Sequence, residues 1–147
     1  LCNFRALRTT RRWQVLGRVP DRCGEPVELE TVEAGYGDPV LVPAAPGDRV
    51  VFARVRGIEV TGLERLVALA YRAPSREISF DGGPAHTLVA NTAADGLLLR
   101  APPRVDFPRP FEIAPNPREI TLLRGGEGSG GDLEIEFYAM PVSPRRG

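Results

Sequence analysis

The chain has 147 residues, among them 16 glycines and 15 prolines, with 19 basic and 19 acidic side chains. That length suits one domain with a sizeable core, and a formal net charge of +0 argues against a dedicated nucleic-acid binder. The density of Gly and Pro leaves little room for long helices. No apolar run approaches the roughly 20 residues needed to span a bilayer.

The opening stretch, LCNFRALRTTRRWQVLGRVPDRC, holds both cysteines, the only tryptophan and six arginines. Cys2 and Cys23 can close a loop of about 20 residues, which in the chain-entropy picture constrains the unfolded state by about 3 kcal/mol. The competing reading is a pair of free buried thiols. The disulfide is the expectation, and with it an oxidising, extracytoplasmic compartment. Zinc is not expected, because there is no CxxC pair and His86 is the only histidine.

Residues 1–24 form an Arg-rich arm: Arg5, Arg8, Arg11, Arg12, Arg18 and Arg22 stand against Asp21 alone. Anionic lipid contact through Arg5, Arg8, Arg11 and Arg12 is one reading. The other is a solvated strand paired with the acidic patch of Glu25, Glu28, Glu30, Glu33 and Asp38. Every basic residue is arginine and none is lysine, a bias that suits a GC-rich, actinobacterial genome and says little about function. The chain starts at Leu1, so a processed product or an excised piece of a longer protein is expected. Leu1 ahead of Cys2 counts against a mature lipoprotein.

Residues 25–142 read as a β domain. EPVELETVEA alternates Val27, Leu29 and Thr31 against Glu28 and Glu30, the pattern of a half-buried strand. GYGD follows as a turn, and PVLVPA is a short apolar run stopped by Pro43. In APGDRVVFARVRG, Val51, Ala53 and Val55 face one way and Arg54 and Arg56 the other. GLERLVALAYRAP fits a helical stripe and also a strand through Val67, Leu69 and Tyr71; a strand is expected, with room for one helical turn near 62–66.

REISFDGGPAHTLVAN reads as a hairpin, with Ile78 and Phe80 in one strand, Asp-Gly-Gly-Pro at the turn and 87–90 in the other. TAADGLLLRAPP predicts a turn at Asp95-Gly96 and then a short strand. RVDFPRPFEIAPNP should be an extended loop pinned by Phe107 and Phe111. REITLLRG alternates Ile120 and Leu122, GGEGSGGD is a loop tip, and LEIEFYAMPV alternates Leu133, Ile135 and Phe137 against Glu134, Glu136 and Tyr138. Residues 143–147 trail as a tail. Eight to ten short strands with turn chemistry between them predict an all-β fold, an antiparallel β-sandwich of jelly-roll or Greek-key type.

Recognisable catalytic signatures are few. A phosphate loop of the GxxxxGK[ST] kind needs a lysine the chain lacks, and GGEGSGG lies between strands rather than before a helix. The PGDRVVF turn is reminiscent of copper-binding sandwiches, whose site needs two histidines and a cysteine. A triad would rest on His86 with Ser75, Ser79, Ser129 or Ser143, none in a GxSxG elbow. FDGG at 80–83 reads as a turn. No metal, cofactor or catalytic residue is assigned.

Binding is left. Sugar-binding sandwiches set aromatic faces beside hydroxyl-holding side chains, and Trp13, Tyr36, Tyr71 and Tyr138 are the amphipathic aromatics. Asp38, Asp81, His86, Asn91 and Asp95 sit in or near turns, where ligands meet such folds. The candidate ligand-binding set is therefore Trp13, Tyr36, Asp38, Tyr71, Asp81, His86, Asn91 and Asp95. For each, packing or turn formation is the plainer role.

The runs NFRALRTTRRW, GDPVLVPAAPGDRVVFARVRG, ADGLLLRAPPRVDFP and LEIEFYAMPV resemble the extracytoplasmic β-sandwich tails of actinobacterial polytopic membrane proteins, glycosyltransferase-like proteins whose tails are in some cases similar to carbohydrate-binding modules. The resemblance implies a noncatalytic domain, membrane-tethered in the full-length protein, that binds a cell-envelope glycan or supports the membrane-embedded glycosyltransferase. It transfers no catalytic residue. Basic residues beside a membrane helix favour the cytoplasmic side, whereas the cysteines favour the outside. The alternatives are a small secreted polysaccharide hydrolase, which needs two carboxylates suitably spaced, and a purely structural interaction module.

Overall fold

The computed structural model describes residues 2–10, 13–45, 47, 49–58, 75–101, 116–124 and 132–143. The readings made above for 59–74 (with Tyr71), 102–115 (with Phe107 and Phe111), 125–131, 144–147, Arg11 and Arg12 lie outside the described residues.

Ten strands and one short helix are described. The strands are β1 (Phe4–Thr9), β2 (Gln14–Arg18), β3 (Val27–Ala34), β4 (Pro39–Leu41) and β5 (Arg49–Arg56), then β6 (Arg76–Phe80), β7 (Ala85–Thr87), β8 (Leu97–Arg100), β9 (Glu119–Arg124) and β10 (Leu133–Pro141); the helix is α1 (Ala90–Asp95). The fold is all-β and antiparallel. One four-stranded sheet runs β3-β10-β5-β8, a second runs β4-β9-β6-β7, and β1 and β2 form a separate ribbon. Strands pair in a nested order: β3 with β10, β4 with β9, β5 with β8, β6 with β7, and successive pairs alternate between the two sheets.

The two sheets close on one core. Val51, Ala53, Val55, Leu99, Leu133, Ile135 and Phe137 come from the first sheet, and Val40, Ile78, Ile120 and Leu122 from the second. The strict alternation of β10 explains its central place: the residues at 133, 135, 137 and 139 are buried, and the strand is hydrogen-bonded on both sides. In β5 the core-facing set is Val51, Ala53 and Val55, as its alternation predicts, and Val50 on the opposite face is also fully buried. Just past β5, Gly57 has φ +83°, and a Cβ there would lie 2.5 Å from the Asp132 carbonyl oxygen, so only glycine suits this corner.

Two expectations change in detail. In β3, Leu29 is turned inward, but the next inward residues are Val32 and Ala34, and Thr31 is exposed. Leu29 is the extra residue of a bulge: Phe137 pairs with Glu30 and Tyr138 with Glu28. One inserted residue reverses which face later side chains occupy. The second change is at 90–95. The β6–β7 hairpin forms through Asp81-Gly82-Gly83-Pro84, but its return strand ends at Thr87. Ala90–Asp95 is then a turn and a half of helix, not the approach to an Asp95-Gly96 β-turn. Ala93 is fully buried in the core, and its small side chain lets the helix lie close on the sheet. Gly96, at φ 132°, ends it.

Cys2 and Cys23 are joined in a disulfide, Cα–Cα 5.1 Å. Such a bond persists in an oxidising setting and so suggests an extracytoplasmic compartment. Cys23 also bridges to Val142, and Gly24 N–H donates to the Pro141 carbonyl, so the base of the ribbon is attached to the end of β10. No helix among the described residues is long and apolar enough to cross a membrane.

Candidate functional site

Because β5 and β10 bury alternate residues, the intervening ones share the opposite, outer face of the sheet. Register places Phe52 beside Tyr138, Arg54 beside Glu136 and Arg56 beside Glu134. These neighbours form one continuous row. The Phe52 and Tyr138 rings stack with centroids 5.5 Å apart, and the Arg54 guanidinium carbon lies 5.0 Å from the Tyr138 centroid. Arg56 bridges two carboxylates, Nη1 to Glu134 Oε1 at 3.1 Å and Nη2 to Glu136 Oε1 at 2.9 Å. The Tyr138 hydroxyl donates to the other Glu136 oxygen at 2.9 Å.

Glu136 is buried yet satisfied on both oxygens, which is what a carboxylate out of water requires. The row is pre-ordered and retains capacity. A guanidinium has five N–H donors, and both Arg56 and Glu134 are well exposed.

The Glu136 hydrogen bond, with lesser help from desolvation and the negative charges of Glu136 and Glu28, raises the Tyr138 phenol above its ordinary value of 10.0; Arg54 pulls the other way. A raised value in the folded state means the contact stabilises fully below the unfolded tyrosine value of about 10 and is lost as pH rises through the folded value. In an ultraviolet titration of phenolate, a step above the ordinary tyrosine value should therefore vanish in Tyr138→Phe. The same late step should shift earlier in Glu136→Gln. If Tyr138→Phe removes an early-ionising step, the hydrogen bond is not made.

The candidate ligand-binding residues fall on separate connections. Trp13 closes the β1–β2 turn, where its N–H donates to Thr10 Oγ1 at 3.0 Å. Tyr36 and Asp38 share the β3–β4 turn. There Asp38 Oδ2 accepts from Gly35 N–H at 2.8 Å, so the carboxylate holds its own turn. The half-buried Tyr36 ring lies 5.7 Å from the Arg76 guanidinium, and its hydroxyl is buried with no hydrogen-bond partner among the described residues.

Asp81 and His86 share the β6–β7 hairpin. Asp81 has φ 49° and its Oδ1 accepts from the Arg118 and Glu119 N–H groups at 2.7 and 3.0 Å, which fastens the hairpin turn to the start of β9. His86 is exposed and tilted against Phe80, ring centroids 5.9 Å apart. Asn91 and Asp95 belong to α1. Tyr71 lies outside the described residues. No hydrogen bond or ring contact among the described residues joins two of this set. An open depression of about 340 Å³ beside Asp38 is lined by Glu30, Val32, Glu33, Pro39 and Leu41, acidic and apolar but without an aromatic wall.

Reading turns for ligand residues passed over Phe52, Arg54, Arg56, Glu134 and Glu136, and took Tyr138 only as an amphipathic aromatic. A signal was available. RVVFARVR and LEIEFY present arginines and glutamates at the same period of two, and antiparallel pairing sets opposite charges side by side.

Compared with known proteins, the chain matches no family model, no curated protein and no solved structure.

Proposed function

We propose that this chain is a noncatalytic jelly-roll domain of a cell-envelope membrane protein, and that it binds a glycan along the outer face of the β3-β10-β5-β8 sheet. The nested pairing of β3–β6 with β10–β7, alternating between sheets, supports the jelly roll: it is the order that results when one long antiparallel ribbon is rolled into two layers. The disulfide supports an extracytoplasmic setting. The resemblance to tails of actinobacterial membrane glycosyltransferase-like proteins supports tethering beside such a partner.

The row Phe52, Tyr138, Arg54, Glu136, Arg56 and Glu134 carries the binding reading. The core lies on the other face, and along this one aromatic, guanidinium and carboxylate groups are held in order, with Arg56 and Glu134 exposed and Glu136 buried between its partners. Sugars present apolar ring faces and fixed hydroxyl pairs, which match planar side chains and paired acceptors and donors. Immobilised envelope polysaccharides and a glycan array test this. A specific ligand should lose about tenfold or more in affinity in Arg56→Ala and in Tyr138→Ala, as for polar and aromatic binding anchors. A ligand bound equally well by both variants, or none at all, would rule out this face as the site.

A further inference from the structure

We propose that the β1–β2 ribbon is a membrane-docking element that seats Trp13 and its apolar neighbours at the interface of an anionic lipid bilayer. The proposal goes beyond glycan binding and uses none of the residues of the outer-face row.

The ribbon is built unlike the rest of the chain. Both sandwich sheets bury one face, whereas the ribbon leaves large apolar side chains exposed on each of its two sides. The β1–β2 register puts Phe4, Leu16 and Arg18 on one side, and Val15 and Gly17 on the other with Arg8; Leu7 lies over Gly17, where a Cβ would approach its side chain to 2.8 Å. Phe4, Val15 and Leu16 are about half exposed, Leu7 is 56% exposed, and Trp13 at the turn is 76% exposed. An apolar surface this exposed on a short ribbon needs a partner.

Charge selects the partner. Residues 1–24 hold six arginines and one acid, Asp21, and Asp21 Oδ1 accepts the Cys23 N–H at the base of the ribbon, away from the turn. A second copy of so cationic a ribbon would be repelled. A surface of phosphate headgroups over an apolar interior complements both features at once: arginine pairs bidentately with phosphate, and tryptophan prefers the headgroup level of the bilayer. The Cys2–Cys23 bond holds the two ends of the ribbon together at its base, at the end of the ribbon opposite Trp13.

Trp13 is the only tryptophan, so the intrinsic fluorescence of the whole oxidised chain reports on this position alone. With vesicles of phosphatidylglycerol and phosphatidylcholine at about 3:7, the emission should move to shorter wavelength, and vesicle sedimentation should show at least about tenfold stronger partitioning than onto phosphatidylcholine alone. Trp13→Ala and the pair Arg8→Glu/Arg18→Glu, all at exposed positions, should each weaken partitioning by about tenfold while the circular dichroism of the domain is unchanged. Absence of partitioning, or partitioning unaffected by either variant, overturns the proposal. So does a lipid-independent emission shift that grows with protein concentration, which marks self-association. Binding to the acidic polysaccharide alginate as strong as to the vesicles, with Trp13 emission still that of a water-exposed ring, also overturns it, since charge alone would then account for the contact.

Discussion

Phe137→Ala should destabilise the domain by about 3–5 kcal/mol, the range for truncating a buried aromatic in a packed core. Phe137 is fully buried and is the largest of the completely enclosed side chains among the described residues. It sits in β10, the strand hydrogen-bonded to β3 on one side and β5 on the other, opposite Ala53 and Glu30. The small Ala53 beside it makes room for the ring, so the cavity left behind has no bulky neighbour on that strand to fill it. For a chain of this size the loss corresponds to a fall in Tm of about 10 °C or more. Leu41→Ala is the comparison: Leu41 is 73% exposed, and its truncation should change stability by no more than about 0.5 kcal/mol. Thermal unfolding followed by circular dichroism measures both. Similar shifts for the two variants would mean that the sheets do not meet over Phe137.

The inward place of Phe137 is readable in the sequence because its strand has a regular period, whereas Leu41 sits in a continuous apolar run that gives no phase. Where polar and apolar residues alternate, as in LEIEF and in the ARVR end of β5, inward and outward residues follow directly from a period of two. Where the period is interrupted, local reading loses the phase. Nothing in VELETVEA marks Leu29 as a bulged residue; the extra position exists because β3 must match β10, which lies about 100 residues away in sequence. Residues 90–95 behave similarly. ANTAAD has weak preference either way, and its helix is decided by the buried Ala93 against the sheet.

The candidate site was legible to a lesser degree, for a physical reason. Turn residues advertise themselves by type, since Asp, Asn and Gly favour turns whatever else they do. Asp38 and Asp81 show the consequence: both carboxylates accept backbone N–H groups of nearby or paired segments. The outer-face row has no such local mark. Arg56 and Glu134 are 78 residues apart, and their bridge exists only once β5 and β10 are in register. The disulfide was the more legible long-range contact because it needed only residue identity and the scarcity of sulfur.

That disulfide sets up the last expected result. Cys2→Ser/Cys23→Ser should melt the β1–β2 ribbon and leave the sandwich folded. An isolated two-stranded ribbon is marginally stable in water, and closing a 21-residue separation constrains the open chain by about 3 kcal/mol. The return strand stays attached after the bond is gone, because Ser143 N–H donates to the Arg22 carbonyl and Gly24 N–H to that of Pro141. Among the described residues the leading strand retains its pairing with β2, the contacts at the base, Val19 N–H to the Asn3 carbonyl and Arg22 N–H to that of Cys2, and the Arg22 guanidinium's bond to the Phe4 carbonyl. Hydrogen exchange should therefore show the amides of 4–9 and 14–18 losing most of their protection while those of β5 and β10 keep theirs. Reduction of the wild-type chain should reproduce the pattern. A ribbon still protected without the bond would show that strand pairing alone suffices. Loss of protection throughout would show instead that the bond stabilises the core, since the ribbon could then no longer be treated as a separate folding unit.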